Sequence, residues 1–125
     1  MAKPVSTASR LAPCPRTPNC VSTHAPAGPQ HMDPIPYSGS LGQARAKLLE
    51  VLRNHPRTRI VTEEADSLKA ECRSAFFRFV DDVEFVFDDA AKRIHFRSAS
   101  RLGRKDFGVN RKRMEEISAA FRGAR

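Results

Sequence analysis

From residue 59 onward the apolar residues recur at every second position rather than every third or fourth, and that period commits the middle of the chain to a sheet. The runs are RIVTEE, SLKAECR, FFRFV, VEFVF and RIHFRS. Ala65-Asp66-Ser67 can turn the first run back on the second, and residues 88–92 can turn VEFVF back on RIHFRS. Successive side chains of a strand leave on opposite faces, so Val83, Phe85 and Phe87 share one face with Ile94 and Phe96. The other face carries Asp82, Glu84 and Val86 beside His95, Arg97 and Arg101. An antiparallel sheet of four or five strands, dry on one side and polar on the other, is expected.

Two amphipathic helices flank these runs. In residues 40–54, Leu41, Ala44, Leu48, Val51 and Leu52 form an apolar stripe, Ser38 or Ser40 can cap the start, and Pro56 enforces the end. In residues 110–122, Met114, Ile117 and Phe121 point inward and Gly123 follows the end. Both helices are expected on the same face of the sheet. Residues 1–39 hold eight of the nine prolines, which lack a backbone donor and disfavour helix at the preceding residue. The chain therefore divides into a disordered tail at 1–12, a Pro-rich extended arm at 13–39 carrying CPxxPNC, and a single α+β domain at 40–123.

The formal net charge is +8, and all of the excess lies in residues 92–125, where 11 Lys/Arg face 3 Asp/Glu. Such a basic end suits an anionic partner, whether a small ligand, an acidic macromolecule or nucleic acid. The aromatics alternate into the core and leave no exposed stacking platform, which counts against nucleic acid. No run of 18 apolar residues is available to span a bilayer, and the opening lacks the continuous apolar centre of a signal peptide. Three cysteines, Cys14, Cys20 and Cys72, are too few for a disulfide framework and favour a reducing, cytoplasmic compartment. A Cys14–Cys20 bridge is sterically allowed, but the spacing does not require it. Zinc ligation by Cys14, Cys20, His24 and His31 would need spacings that fit no compact zinc pattern.

Three blocks in order carry a resemblance to a known family. They are Cys14-Pro15 with Pro18-Asn19-Cys20-Val21-Ser22, then residues 79–85 (FVDDVEF), then Arg97-Ser98-Ala99-Ser100-Arg101 with Gly103, Asp106, Gly108, Asn110 and Arg113. With these the chain resembles the bacterial and plastid family termed domain of unknown function 1499. The resemblance implies a small α+β domain, sometimes fused to membrane segments or an export signal, and no established activity. Cys14, Cys20, Gly103, Asp106, Gly108 and Arg113 are expected to form a structural motif. Ser67 and Lys69 stand where relatives often carry an aromatic and a histidine, and Arg104 and Lys105 are more basic than is usual there.

Two constellations carry possible chemistry. Asp81, Asp82 and Glu84 with Arg97 and Arg101 could serve as acid/base groups with a charge clamp, although a cross-strand ion-pair network is the better reading, because opposed guanidiniums occupy the oxygens a metal would need. Arg97, Ser98, Ser100, Arg101, Asn110 and Arg111, around Gly103 and Gly108, could accept a phosphate or carboxylate at a helix start. Alternatively the glycines shape a turn, Asp106 or Asn110 caps the helix, and the arginines pair with the acidic block. Three cations in a helix's first turn, Arg111, Lys112 and Arg113, oppose the dipole by about 0.3 to 1 kcal/mol each, so something anionic is expected nearby. No cofactor and no metal is called for. The leading functional expectation is a small binding module with an anion-accepting site at the last strand/last helix junction. The alternatives are a small hydrolase or transferase acting on a phosphorylated or carboxylated substrate, and nucleic-acid binding through the basic C-terminal region.

Overall fold

The computed structural model describes residues 10–17, 19–74, 79–101 and 108–124. The elements are β1 (Cys20–Ser22), β2 (Ile35–Pro36), α1 (Leu41–Asn54), β3 (Thr58–Glu63), β4 (Ser67–Arg73), β5 (Val80–Asp88), β6 (Arg93–Ser100) and α2 (Val109–Gly123). Among the described residues the named strands pair antiparallel, in the order β1-β6-β5-β4-β3 with β2 also on β6, so the α+β reading holds. The hairpin expected across residues 88–92 is present, with Phe85 opposite Phe96 and Phe87 opposite Ile94.

Among the described residues six strands form where four or five were expected, because the Pro-rich arm contributes two of them. Cys20, Val21 and Ser22 pair with Ala99, Ser98 and Arg97, and Ile35 pairs with Ile94. Pro36 is tolerated because β2 lies on the outer side of β6, where a missing N–H breaks no further ladder. Between these strands Thr23 extends the pairing with its side chain, its hydroxyl accepting from the Phe96 N–H at 3.2 Å. The arm also reaches back past its expected start. Arg10 pairs with Asp66 at 2.8 Å and Leu11 is buried, although both fall in the segment expected to be a free tail.

Both helices bury their apolar stripes in one core with the dry sheet face. Leu48 and Leu52 of α1 and Met114, Ile117 and Phe121 of α2 meet Leu68, Val83, Phe85, Ile94 and Phe96. Each large apolar side chain buried in this way contributes about 1.5–3 kcal/mol. Helix α1 starts at a reciprocal capping box: Ser40 Oγ accepts from the Gln43 N–H at 3.1 Å and Gln43 Oε1 accepts from the Ser40 N–H at 3.0 Å. Gly39 before it has φ +82°, and a Cβ there would come within 2.5 Å of the Gln43 carboxamide that closes the box. Helix α2 differs from expectation at its start. Its N-cap is Gly108, with no capping side chain; Asn110 lies inside the helix with its side chain turned to the core.

Cys14 and Cys20 form a disulfide, and Cys72 is the free, buried thiol. The pairing removes the argument from cysteine usage for a reducing compartment, and it takes both thiolates out of any zinc site. Among the described residues no helix is long and apolar enough to cross a membrane. Closing so short a loop stabilises by about 2 kcal/mol through the unfolded chain. Denatured, unreduced protein should therefore titrate a single thiol, and a reducing agent should lower the melting temperature without abolishing the cooperative transition. Three titratable thiols in unreduced protein would contradict the pairing.

Candidate functional site

Strand β5 sorts its three acidic residues onto two faces. Asp81 continues the buried row of Val83, Phe85 and Phe87, whereas Asp82 and Glu84 leave on the opposite side. On β6, Ser98 and Ser100 continue the buried row of Ile94 and Phe96, and Asp81 lies opposite Ser100 in register. The dry face thus ends in a polar corner. Helix α2 starts above it and turns Asn110 and Arg113, three residues apart and so on one helix face, down into the corner.

The result is a closed hydrogen-bond network. Arg113 Nη2 donates to Asp81 Oδ2 at 2.7 Å, and Arg113 Nη1 donates to Asn110 Oδ1 at 2.9 Å and to Ser98 Oγ at 3.3 Å. The Ser98 hydroxyl donates to Asn110 Oδ1 at 2.6 Å. Asn110 Nδ2 donates to Ser100 Oγ at 3.0 Å and to the Asn19 carbonyl at 3.1 Å. That carbonyl also accepts the Ser100 N–H, at 3.0 Å, which fastens the arm to the end of β6. Arg113 and Asp81 are 8% and 7% exposed, and Asn110 and Ser98 are 0%, so water competes little for these bonds.

The remaining candidates point elsewhere. Arg101 is on the polar side, where it forks onto both oxygens of Asp82 at 2.8 Å and reaches Glu71 at 2.6 Å, joining β4, β5 and the end of β6. These two carboxylates hold its guanidinium above the ordinary arginine range. Arg97 lies opposite Glu84 in register and donates to the Pro13 carbonyl at 3.4 Å. Arg111 clamps the arm loop by donating to the carbonyls of Pro29 at 2.7 Å and His31 at 2.9 Å. Of the six residues expected to accept an anion, Ser98, Ser100 and Asn110 come together, and Arg97, Arg101 and Arg111 do not join them. Gly103 and Asp106 lie outside the described residues. Of the three cations opposing the α2 dipole, Arg113 meets a carboxylate and Arg111 meets two carbonyls.

A family model described as a protein of unknown function, DUF1499, matches residues 10–121. The chain belongs to the DUF1499 family. No curated protein matches it in sequence. In this DUF1499 domain all three sequence blocks reach the polar corner: Asn19 from the first, Asp81 from the second, and Ser98, Ser100, Asn110 and Arg113 from the third.

Little at the corner suits nucleophilic chemistry. Both serines bond to Asn110, and His95 sits on the other sheet face with its Nδ1 on Thr23 Oγ1 at 2.9 Å. Its ring stacks on His24 with centroids 4.4 Å apart, and burial lowers the pKa of both imidazoles. Burial likewise pushes the Cys72 thiol up, away from the reactive thiolate. Among the described residues no group of three or more His, Cys, Asp or Glu is arranged to hold a metal. Asn110 has a partner on every side, so Asn110→Ala should cost about 1–3 kcal/mol by leaving Arg113, Ser98, Ser100 and Asn19 short of partners. Urea unfolding measures this; a loss below about 0.5 kcal/mol, the range of an ordinary surface substitution, would contradict the network.

Proposed function

We propose that this DUF1499 domain is a non-catalytic binding module for an anionic ligand, with the junction of β6 and α2 serving as its structural lock. The observation that carries the reading is the closure of the polar corner: Arg113, the most buried cation there, is already paired with Asp81. The anion accepted at the junction is thus the domain's own carboxylate. Two of the three acid/base candidates are committed in the same way, Asp81 to Arg113 and Asp82 to Arg101, so guanidinium donors already occupy oxygens that a substrate would need. What is left for an external partner is the net charge of +8.

A thermal-shift series at constant ionic strength tests this, with phosphate, polyphosphate, nucleotides, carboxylates and divalent metals. A ligand at about 100 times its Kd adds about 2.7 kcal/mol, which a domain of this size registers as a shift of several degrees. Multivalent anions should raise the melting temperature, and they should do so equally in Glu84→Gln. Turnover of a phosphorylated or carboxylated substrate that disappears in Glu84→Gln, with an unchanged melting temperature, would replace the binding reading with a hydrolase or transferase.

A further inference from the structure

The basic excess of the last 34 residues draws attention away from a second concentration of arginine. Where α1 ends and β3 begins, Arg53, Arg57 and Arg59 come together with Arg73 from the end of β4 around an open cleft of about 770 Å³. His55, Thr58, Glu71 and Ser74 also line it. All four arginines are exposed. Residues 1–91 carry equal numbers of basic and acidic residues, so the local surplus is invisible in the charge balance of the sequence.

The carboxylates around the cleft do not neutralise it. Glu71 is taken by Arg101 at 2.6 Å and reaches Arg73 only at 4.0 Å. Glu116 faces His55 Nε2 at 3.4 Å, and Glu50 accepts from Asn54. Among the described residues no carboxylate lies within ion-pair distance of Arg53, Arg57 or Arg59. One of the four cations has a structural reason to be there, since Arg53 occupies the last turn of α1, where a cation offsets the helix dipole. That reason does not extend to the other three.

The backbone supplies a second, independent observation. Arg57 has φ +53°, a left-handed conformation that glycine or asparagine adopts at far lower cost. It is held there by Arg73, whose N–H donates to the Arg57 carbonyl at 3.0 Å and whose carbonyl accepts from Arg57 Nε at 3.2 Å. Those bonds leave both Nη groups of Arg57 without a partner among the described residues. The other left-handed non-glycine among the described residues, Lys92, is different: its ammonium bonds to the Gly39 carbonyl and to Asp89. The turn at Arg57 thus fixes its backbone beside the cleft while the end of its guanidinium keeps donors for a ligand.

We propose that this arginine cleft binds a run of phosphate groups, such as an oligophosphate or the phosphate tail of a nucleotide. Planar guanidinium forks match phosphate oxygens in pairs, and four of them at one open cleft suit several linked phosphates better than a single ion. The assignment rests on the binding-module reading and gives it a site separate from the β6–α2 lock.

Titration calorimetry of the full chain with inorganic tripolyphosphate, at fixed ionic strength, tests it against the variant Arg53→Gln/Arg59→Gln and the control Lys112→Gln. Among the described residues neither Arg53 nor Arg59 makes a side-chain hydrogen bond or ion pair, and the melting temperature of the unliganded variant checks that the fold is kept. The wild type and Lys112→Gln should bind alike, and the double variant should bind about tenfold more weakly or worse, the scale of losing charge-assisted contacts. Undiminished binding by the double variant, with loss in Lys112→Gln, would overturn the cleft and leave the binding module standing. A wild type that binds no polyanion would overturn both. Binding of a short single-stranded oligonucleotide but not tripolyphosphate, lost in the double variant, would replace the small ligand with a nucleic-acid backbone.

Discussion

The Arg113–Asp81 pair is the interaction on which the rest of the domain's arrangement depends. Removing two charges from water costs several kcal/mol per ion, and mutual attraction repays this only when the remaining donors and acceptors are also satisfied. Asn110, Ser98 and Ser100 meet that condition. Each comes from an element that the pair must bring together: the start of α2, the end of β6, and, through Asp81, the start of β5. Asn110 then extends the network to the arm through the Asn19 carbonyl. One buried ion pair thereby sets where the last helix sits, and it gives the Pro-rich arm a fixed point on the sheet.

The arm matters because β6 would otherwise be an open edge. Strands β1 and β2 cover it, the Cys14–Cys20 disulfide closes the loop before β1, and Gln30 ties that loop down by donating to the carbonyls of Pro15 and Thr17. Further back, Leu11 is buried and Arg10 reaches the β3–β4 turn at Asp66. A segment poor in its own secondary structure is held by contacts at several separated points. The opposite edge, β3, is interrupted by an irregularity between Ile60 and Thr62, a device that discourages pairing with another chain. The arginine cleft opens beside that edge.

The sheet and the two helix faces were legible because each rests on a local period. Strict alternation gave Val83, Phe85 and Phe87 their face, and the stripe of Met114, Ile117 and Phe121 gave α2 its own. The same periods held more than the grouping by charge allowed. Asp81 is two residues from Val83 and so belongs to the dry face, and Arg113 falls on the inward stripe beside Met114; together these spacings place a cation and an anion in the core. Grouping Asp81 with Asp82 and Glu84 as one acidic block obscured that. The strands of the arm were not legible, since prolines mask the pairing of three-residue and two-residue strands whose partner lies over 50 residues away. The cleft was not legible either, because its arginines come from α1, β3, β4 and the turn between α1 and β3, and Arg73 meets the others only through the β3–β4 pairing.

The three sequence blocks of this domain converge on an internal lock. A double-mutant cycle on Asp81→Asn and Arg113→Met, read by urea unfolding, tests it most directly. Each single change should destabilise by about 3–5 kcal/mol, because it leaves a buried charge unpaired, and the double variant should recover much of that loss. A coupling above about 1.5 kcal/mol is the predicted result. Single losses that simply add, to within about 0.5 kcal/mol, would mean that the two residues do not act together, and the polar corner would have to be reconsidered as a site for something outside the chain.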